Sequence, residues 1–497
     1  MQEQFNSSNL KFCKILIAPI ILFSMKSLIL IMVILVATLP ELLNAQSSIS
    51  NKSKPNIIII LADDMGYGDL SFTGSKKIKT PNIDALAKSG VFCDAAYVSA
   101  SVCAPSRAGL LTGRQQQRFG FEHNIDKWNK RMADRPEFHG LTIGEYTIAD
   151  HLKNAGYETA IIGKWHLGEM DVHHPNNRGF DYFCGMLGGG HNYFPEKGRS
   201  TIQRNGTFLK EYSSPYLTDF FTDEGVKWIE THNQKPWFLF MSYNAPHTPM
   251  QATEEDLAAC SDIKDPGRRT YAAMVRALDR GVGRLMVALK KQGLDKNTLV
   301  VFFADNGGAT TNHCWRGPFS GSKGNMREGG IRVPMIWNWP GTIKTGRTDA
   351  VISSLDLLPT FLAVANAKPI EAFDGKGKRK KPREYDGYNV IPVLNGKEQA
   401  KVRRLFWRLQ GQCCVLDGED KLIRLSHRPA QYFRPFEDLG ERNDLSGENK
   451  EKYLELYKLL LQWESGLPSY PHFFTSPYWI KASAQNYDNY VPVPEPE

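Results

Sequence analysis

Five short polar sites in this chain of 497 residues carry the side-chain types that chemistry needs. Asp63-Asp64 and Asp305-Asn306 supply three carboxylates and an amide. These are hard oxygen donors, suited to Ca2+ or Mg2+ rather than zinc. Lys164 and His166 flank Trp165, and His247 follows Pro246. Such cations and imidazoles bind anions and move protons. The sharpest cluster is Cys103-Ala104-Pro105-Ser106-Arg107, a cysteine just before a helix start with a proline suited to its first turn. A helix N-terminus favours anions and lowers a thiol pKa. Taken singly, each cluster has an ordinary reading. Asp63-Asp64 makes a strand-end turn or helix cap, Asp305-Asn306-Gly307-Gly308 a loop, and Cys103 a structural or disulfide cysteine. Lys164 then reads as a surface lysine and His247 as a loop histidine. A Cys/His nucleophile is a further reading of Cys103, with no cysteine-protease signature around it.

What raises the clusters above these readings is where they fall. Apolar runs 56–62 and 298–304 end at Asp63 and Asp305; run 159–163 ends at Lys164, and run 237–243 is followed by His247. Continuous apolar runs of this length predict strands buried on both faces. Between them lie helical signals: Thr80-Pro81 opening a helix closed by Gly90, a Thr142/Glu145 capping box for a helix ending near Gly156, and Met274, Leu278, Val282, Leu285 and Leu289 at helical spacing. The alternation predicts an α/β fold, a mainly parallel central sheet sandwiched by helices. Sites in such sheets form at the strand carboxyl ends, so four strands lying side by side would deliver all these residues to one rim.

Composition divides the chain. Residues 1–45 form a leader: Lys26, an apolar run over 28–37, then Pro40 and a cleavage point after Ala45, with Met25 an alternative start. That run of about ten residues is too short to span a bilayer. The expectation is therefore an exported protein, periplasmic or secreted, with no stable membrane anchor. Residues 52–365 hold the clusters and form the catalytic domain. Residues 366–400 form a loop and linker carrying the basic group Lys376, Lys378, Arg379, Lys380, Lys381 and Arg383. Residues 401–497 form a small α+β subdomain with an antiparallel sheet, its strands read at 405–409, 413–416 and 421–425 and a helix at 450–464. The formal charge of +8, or +7 without the leader, is spread along the chain. It suits an anionic substrate, and lacks the dense basic stripe of a nucleic-acid binder. Outside the leader there are seven cysteines, an odd number whose spacing matches neither a zinc cluster nor a dense disulfide framework.

The segment 102–114, VCAPSRAGLLTGR, resembles the signature of the formylglycine-dependent sulfatases of the alkaline phosphatase superfamily. The resemblance continues through PNIIIILADDMGYGDL, TPNIDALAKSG, GYETAIIGKWHLG, NAPHTP, FFADNGG, SGSKGNMREGGIRVP and FEDLGERNDLS. It implies that a maturation enzyme reads C-x-P-x-R and oxidises Cys103 to formylglycine (3-oxoalanine). One hydroxyl of the hydrated aldehyde attacks sulfur, and the other expels sulfate, a covalent route in two steps. It further implies one Ca2+ on Asp63, Asp64, Asp305, Asn306 and modified Cys103, with Arg107 holding the hydrate. Lys164 and Lys323 would bind sulfate oxygens, His166 would act as base, and His247 with Lys323 would protonate the leaving oxygen. The substrate implied is a sulfated oligo- or polysaccharide, of the ulvan or carrageenan type acted on by bacterial relatives. Expected carbohydrate contacts are His191 in Gly188-Gly189-Gly190-His191, then His313, Trp315 and Arg316, with Arg403, Arg404 and Trp407 further guesses. Two rival functions remain open at this point: a phosphate ester hydrolase of the same superfamily, and a non-catalytic glycan-binding protein with an unoxidised Cys103.

Overall fold

The structure is a computed structural model that describes residues 54–125, 139–195, 201–371, 383–426, 428–468, 487 and 493–495. The leader and most of the basic group at 376–381 lie outside the described residues. In chain order the strands are β1 (Asn56–Ala62), β2 (Val91–Tyr97), β3 (Glu158–Lys164), β4 (Tyr182–Met186), β5 (Gln203–Arg204), β6 (Thr207–Phe208) and β7 (Trp237–Ser242). They continue as β8 (Thr298–Ala304), β9 (Met335–Asn338), β10 (Gly346–Ser353), β11 (Arg404–Leu409), β12 (Gln412–Asp417), β13 (Asp420–Leu425) and β14 (Gln431–Phe433). The main helices are α1 (Pro81–Lys88), α2 (Cys103–Thr112), α3 (Ile148–Asn154), α4 (Leu217–Thr231), α5 (Pro266–Lys291), α6 (Glu328–Ile331), α7 (Leu357–Val364) and α8 (Lys450–Ser465).

The unbroken apolar runs become the middle of one large sheet, ordered β10-β2-β9-β8-β1-β7-β3-β4-β5-β6. The stretch β8-β1-β7-β3-β4 is parallel throughout, whereas β9 pairs antiparallel with both its neighbours. Both faces are covered, as side-chain alternation along β7 shows. Phe238 meets Phe361 of α7 with ring centroids 6.2 Å apart, and Met241 lies against Gly225 of α4 and Leu285 of α5 on the other face. Each fully buried aliphatic side chain of β1 contributes about 1.5–3 kcal/mol, so the strand is anchored by its own apolar content. Helix α5 follows the expected rule: Asp265 accepts from the Arg268 backbone at 2.6 Å as its cap, and Pro266 occupies the first turn.

One predicted start is corrected. No helix opens at Thr142/Glu145; α3 starts at Ile148, and its capping box is Thr147/Asp150. Thr142 instead donates to the Phe119 carbonyl, and Glu145 is held by Arg114 and Arg383 at 2.6 Å each. Both pairs have the same spacing, and tertiary ion pairing takes Glu145 out of the contest.

Strands β11 to β14 form a separate antiparallel sheet in sequence order. Their alternation buries apolar side chains on both faces. Leu405, Trp407, Cys414, Leu416 and Ile423 pack towards Tyr97, Met326 and Ile331, while Cys413, Val415 and Leu422 pack on Leu456 and Leu460 of α8. Arg403 and Trp407, two expected carbohydrate contacts, are buried in this packing. Arg403 pairs with Asp356 at 2.8 Å, and the Trp407 indole donates to the Val98 carbonyl at 2.7 Å. Among the described residues no helix is long and apolar enough to cross a membrane.

Candidate active site

The register of the parallel strands builds the site. Ala62 pairs with Ala304, Leu61 with Ser242, and Gly163 with Ser242, so β8, β1, β7 and β3 stop at one level. Asp63, Asp305 and Lys164 therefore emerge together, and the Asp305 backbone donates to the Ala62 carbonyl at 3.0 Å. Helix α2 enters this rim by its N-terminus. Gly113, at φ 62°, ends it in the left-handed region where glycine is favoured. Cys103 and Arg107 stand one helical turn apart and so face the same way.

Cys103 Sγ lies 3.5 Å from Asp63 Oδ1 and 3.8 Å from Asp64 Oδ1. Lys164 Nζ is 2.6 Å from Asp63 Oδ2, and Lys323 Nζ is 2.8 Å from Asp64 Oδ2. Arg107 grips Asp305 through Nε at 3.0 Å and Nη2 at 2.9 Å, and its Nη1 donates to the Lys164 carbonyl and the Ser242 hydroxyl. His247 Nε2 stands 3.5 Å from Asp64 Oδ2, with Nδ1 held 2.6 Å from the Thr248 carbonyl. Burial is graded. Asp63, Asp64, Cys103, Arg107, Lys164, Asp305 and Asn306 are sealed, whereas the Lys323 and His247 side chains are 18% and 19% exposed. These two form the mouth of the site and the others its floor.

Charge sets the protonation. Burial alone would raise the Asp64 carboxyl, but Lys323 and His247 hold it well below its usual range. Burial together with the neighbouring Asp63 pushes Asp305 up to about 6 despite Arg107. Burial opposes ionisation of Cys103, yet Lys164 and Lys323 bring its thiol down to about 7. His247 is pulled up to about 9 against burial by Asp63 and Asp64. His166 is driven well below its ordinary value by burial and by Lys164 and Arg107. The two imidazoles thus differ in kind, one charged and one neutral, the separation that acid and base partners require.

Strain and an unmet oxygen mark the same place. Asp64 at φ 64° and His166 at φ 59° occupy the left-handed region, which non-glycine residues enter at a cost of about 1–3 kcal/mol. Asn306 donates through Nδ2 to Asp64 Oδ1 at 2.7 Å and to the Gly307 carbonyl at 2.9 Å, while its buried Oδ1 has no hydrogen-bond partner. An amide oxygen left bare is costly unless something electropositive meets it. With the Asp63 and Asp64 carboxylates offering oxygens within 4.8 Å of each other beside it, the donor set fits a hard divalent cation.

Several residues were missed by sequence reasoning. Ser242 braces Arg107, and the strand-end rule that picks Asp63 would also have found it. Asn312, fully buried, donates to the Asp64 and Pro246 carbonyls at 2.9 and 3.3 Å and ties the two loops together; no spacing announces it. The glycine run is a close approach rather than a turn. A Cβ on Gly189 would lie 2.5 Å from His166 Nε2, and one on Gly190 3.8 Å from His247 Cε1. His191 is carried next to this canopy, with Nδ1 2.6 Å from the Asn192 carbonyl. The other expected contacts are placed differently. His313 Nδ1 stands 3.5 Å from Asp265 at the start of α5, Trp315 donates its indole N–H to the Val493 carbonyl at 2.8 Å, Arg316 Nη1 lies 3.8 Å from Cys314 Sγ, and Arg404 pairs with Asp417.

Comparison with known proteins agrees with this geometry. Residues 55–367 match the Sulfatase family model. Mouse N-acetylgalactosamine-6-sulfatase is 32% identical over 372 residues, covering 71% of this chain and 68% of that protein. Mouse arylsulfatase G is 32% identical over 437 residues, covering 78% of each. The crystal structure of Ps i-CgsB in complex with k-i-k-neocarrahexaose superposes with a TM-score of 0.77 at 37% identity, over 87% of this chain and 98% of that one. With a matched domain of this extent, the chain belongs to the sulfatase family and is a sulfuric ester hydrolase.

Proposed function

We propose that this enzyme hydrolyses sulfate esters of a sulfated carbohydrate of the carrageenan or ulvan type, through a formylglycine made from Cys103. The observation that carries the reading is the convergence of Cys103 with three buried carboxylates, Asn306 and two lysines on one strand-end rim. The likeness to Ps i-CgsB, solved with k-i-k-neocarrahexaose, favours the carrageenan side. Oxidation of the thiol to an aldehyde by a maturation enzyme would supply a hydrate with two hydroxyls, one to attack sulfur and one to release sulfate by elimination. Asp63, Asp64, Asp305 and Asn306 would hold Ca2+, which supplies Lewis acidity towards the sulfate oxygens and the nucleophile.

The chain's own groups divide the remaining work by depth. Arg107, immobilised on Asp305 and Ser242, keeps the residue at 103 facing the carboxylates. Lys164 on the floor and Lys323 at the mouth offer ammonium groups to sulfate oxygens, where negative charge is redistributed in the transition state. His247, charged and at the opening, is placed to protonate the departing alcohol. His166, neutral beneath Gly189, is placed to take the proton of the second hydroxyl. The rim beside His191 is where the sugar would lie.

The test is a panel of sulfate esters, comprising carrageenan and ulvan oligosaccharides, chondroitin sulfate and 4-nitrophenyl sulfate, read by released sulfate and product mass. Cys103→Ala should abolish release without moving the unfolding midpoint, and mass spectrometry of the peptide bearing Cys103 should find the aldehyde. Turnover undiminished in Cys103→Ala, or a free thiol in fully active protein, would overturn the reading.

A further inference from the structure

Lys323 is presented by a segment, residues 320–331, that has no sheet of its own. Inside the large domain it is held by backbone bonds: Lys323 N–H to the Gly308 carbonyl at 3.0 Å, and Gly324 N–H to the Ser101 carbonyl at 2.7 Å. The Tyr97 hydroxyl of the large domain also donates to Glu328 at 2.7 Å, and further supports come from the C-terminal region. Gln412, at the start of β12 and 3% exposed, donates through Nε2 to the Gly324 carbonyl at 2.8 Å, one residue from Lys323. Lys421 of β13, fully buried, places its ammonium 2.7 Å from Glu328 and 2.8 Å from Glu441. Glu328 opens α6 at the end of the segment, and Glu441 accepts from the Glu328 backbone at 2.8 Å. The Arg327 guanidinium donates to the Glu441 carbonyl at 2.6 Å. Arg332, 3.2 Å from Glu328, brings the cluster of Lys421, Arg332, Glu328 and Glu441 to formal neutrality. Met326 and Ile331 pack into the apolar face of the same sheet.

We infer that the C-terminal sheet is a positioning element of the active site, with Gln412 as the positioning residue that fixes Lys323 through the Gly324 carbonyl. The inference rests on the role proposed for Lys323 above. The physical argument is one of freedom. Gly324 lies in the left-handed region at φ 83°, and no side chain of its own limits the hinge next to Lys323. One sheet-borne amide on its carbonyl removes that freedom. Lys323 is also the partly exposed lysine of the pair, so its ammonium has space to stray where Lys164 has none. A misplacement of about 1 Å at a reacting centre costs up to about 100-fold in rate.

The test is a double-mutant cycle on kcat/KM with whichever ester of the panel is turned over, using the full-length matured enzyme. Gln412→Ala removes the donor, and Gln412→Glu keeps the shape while facing the carbonyl with an acceptor. Both should lower kcat/KM about 10-fold or more, chiefly in kcat, and should speed amide hydrogen exchange at Lys323 and Gly324. In the Lys323→Ala background, measured at high enzyme concentration, Gln412→Ala should have less than about a twofold further effect, because the group it positions is gone. An equal fractional loss in both backgrounds would overturn the inference, since it is the signature of a merely structural role. So would unchanged kcat/KM or unchanged exchange. If Lys323→Ala alone keeps full activity, the fault lies in the role given to Lys323, and the inference falls with it. If Lys323→Ala is crippled and the cycle is additive, the inference alone falls.

Discussion

Replacing Arg107 by Met tests the floor of the site most directly. The guanidinium, 1% exposed, has two nitrogens on Asp305 at 2.9 and 3.0 Å and a third on the Lys164 carbonyl and the Ser242 hydroxyl. Met keeps the aliphatic stem and deletes the fork. Asp305 is then left buried beside Asp63 and Asp64 without its main cation, and breaking a buried pair from one side costs about 3–5 kcal/mol. The neutral side loses less. Ser242 keeps its 2.6 Å bond to the Lys164 carbonyl, so about 1 kcal/mol more is expected there. The sum, about 4–6 kcal/mol, is a large part of the roughly 5–15 kcal/mol that holds a domain folded. Arg107→Lys restores the charge as a point without the planar fork and should cost about 1–3 kcal/mol. Guanidinium unfolding followed by tryptophan fluorescence in the presence of chelator measures both, as midpoint shift times slope. Added Ca2+ should recover more stability in the Met variant than in the parent, because that variant's carboxylates have lost a cation. A Met variant within about 1 kcal/mol of the parent, or Met and Lys variants that unfold together, would refute the reasoning.

Three other outcomes are expected. Gly189→Ala should cost about 1–3 kcal/mol of stability and about 10- to 100-fold in kcat/KM, since its Cβ would displace His166; kinetics within twofold of the parent would show that the imidazole yields freely. Lys421→Met should destabilise by about 3–5 kcal/mol by stranding Glu441, while Glu328 keeps Arg332, and adding Glu441→Gln should recover most of it in the same unfolding assay. Burial and then Arg383 push His151 down to about 4 from an ordinary 6.5, and its Nδ1 stands 3.1 Å from the Ile370 N–H it accepts. Here the unfolded chain binds the extra proton, so stability is full above pH 6.5 and is lost as pH falls towards 4. His151→Gln should flatten the pH dependence of the unfolding midpoint in that window by up to about 1.4 kcal/mol per pH unit, and an unchanged slope would exclude the assignment.

Much of the site was legible because parallel strands buried on both faces read as continuous apolar runs, and the first polar residue after each run is a strand end. Asp63, Asp305 and Lys164 are all of this kind. What such reading lacks is the order of strands. The β8-β1-β7-β3 adjacency was a condition in the sequence and is a fact in the structure. Strands with weaker patterns were invisible. β9 is four residues long and follows Pro334, and β10 begins with the exposed Gly346-Arg347. Side chains that act across long separations, such as Asn312 on Asp64 or Gln412 on Gly324, leave no local period to find. Trp407 shows the converse error: an aromatic that suits sugar stacking by type is consumed by the packing of an amphipathic strand.

The four strands that carry the site run side by side in the interior of a ten-stranded sheet, with further strands beyond them on each edge. The carboxylate floor of the site is therefore mounted on the interior of the sheet, away from its edge strands. Descendants of this chain can remodel the peripheral loops to suit a new sugar without disturbing the machinery beneath. A change that loosens the strand-end carboxylates must first loosen the sheet that carries them.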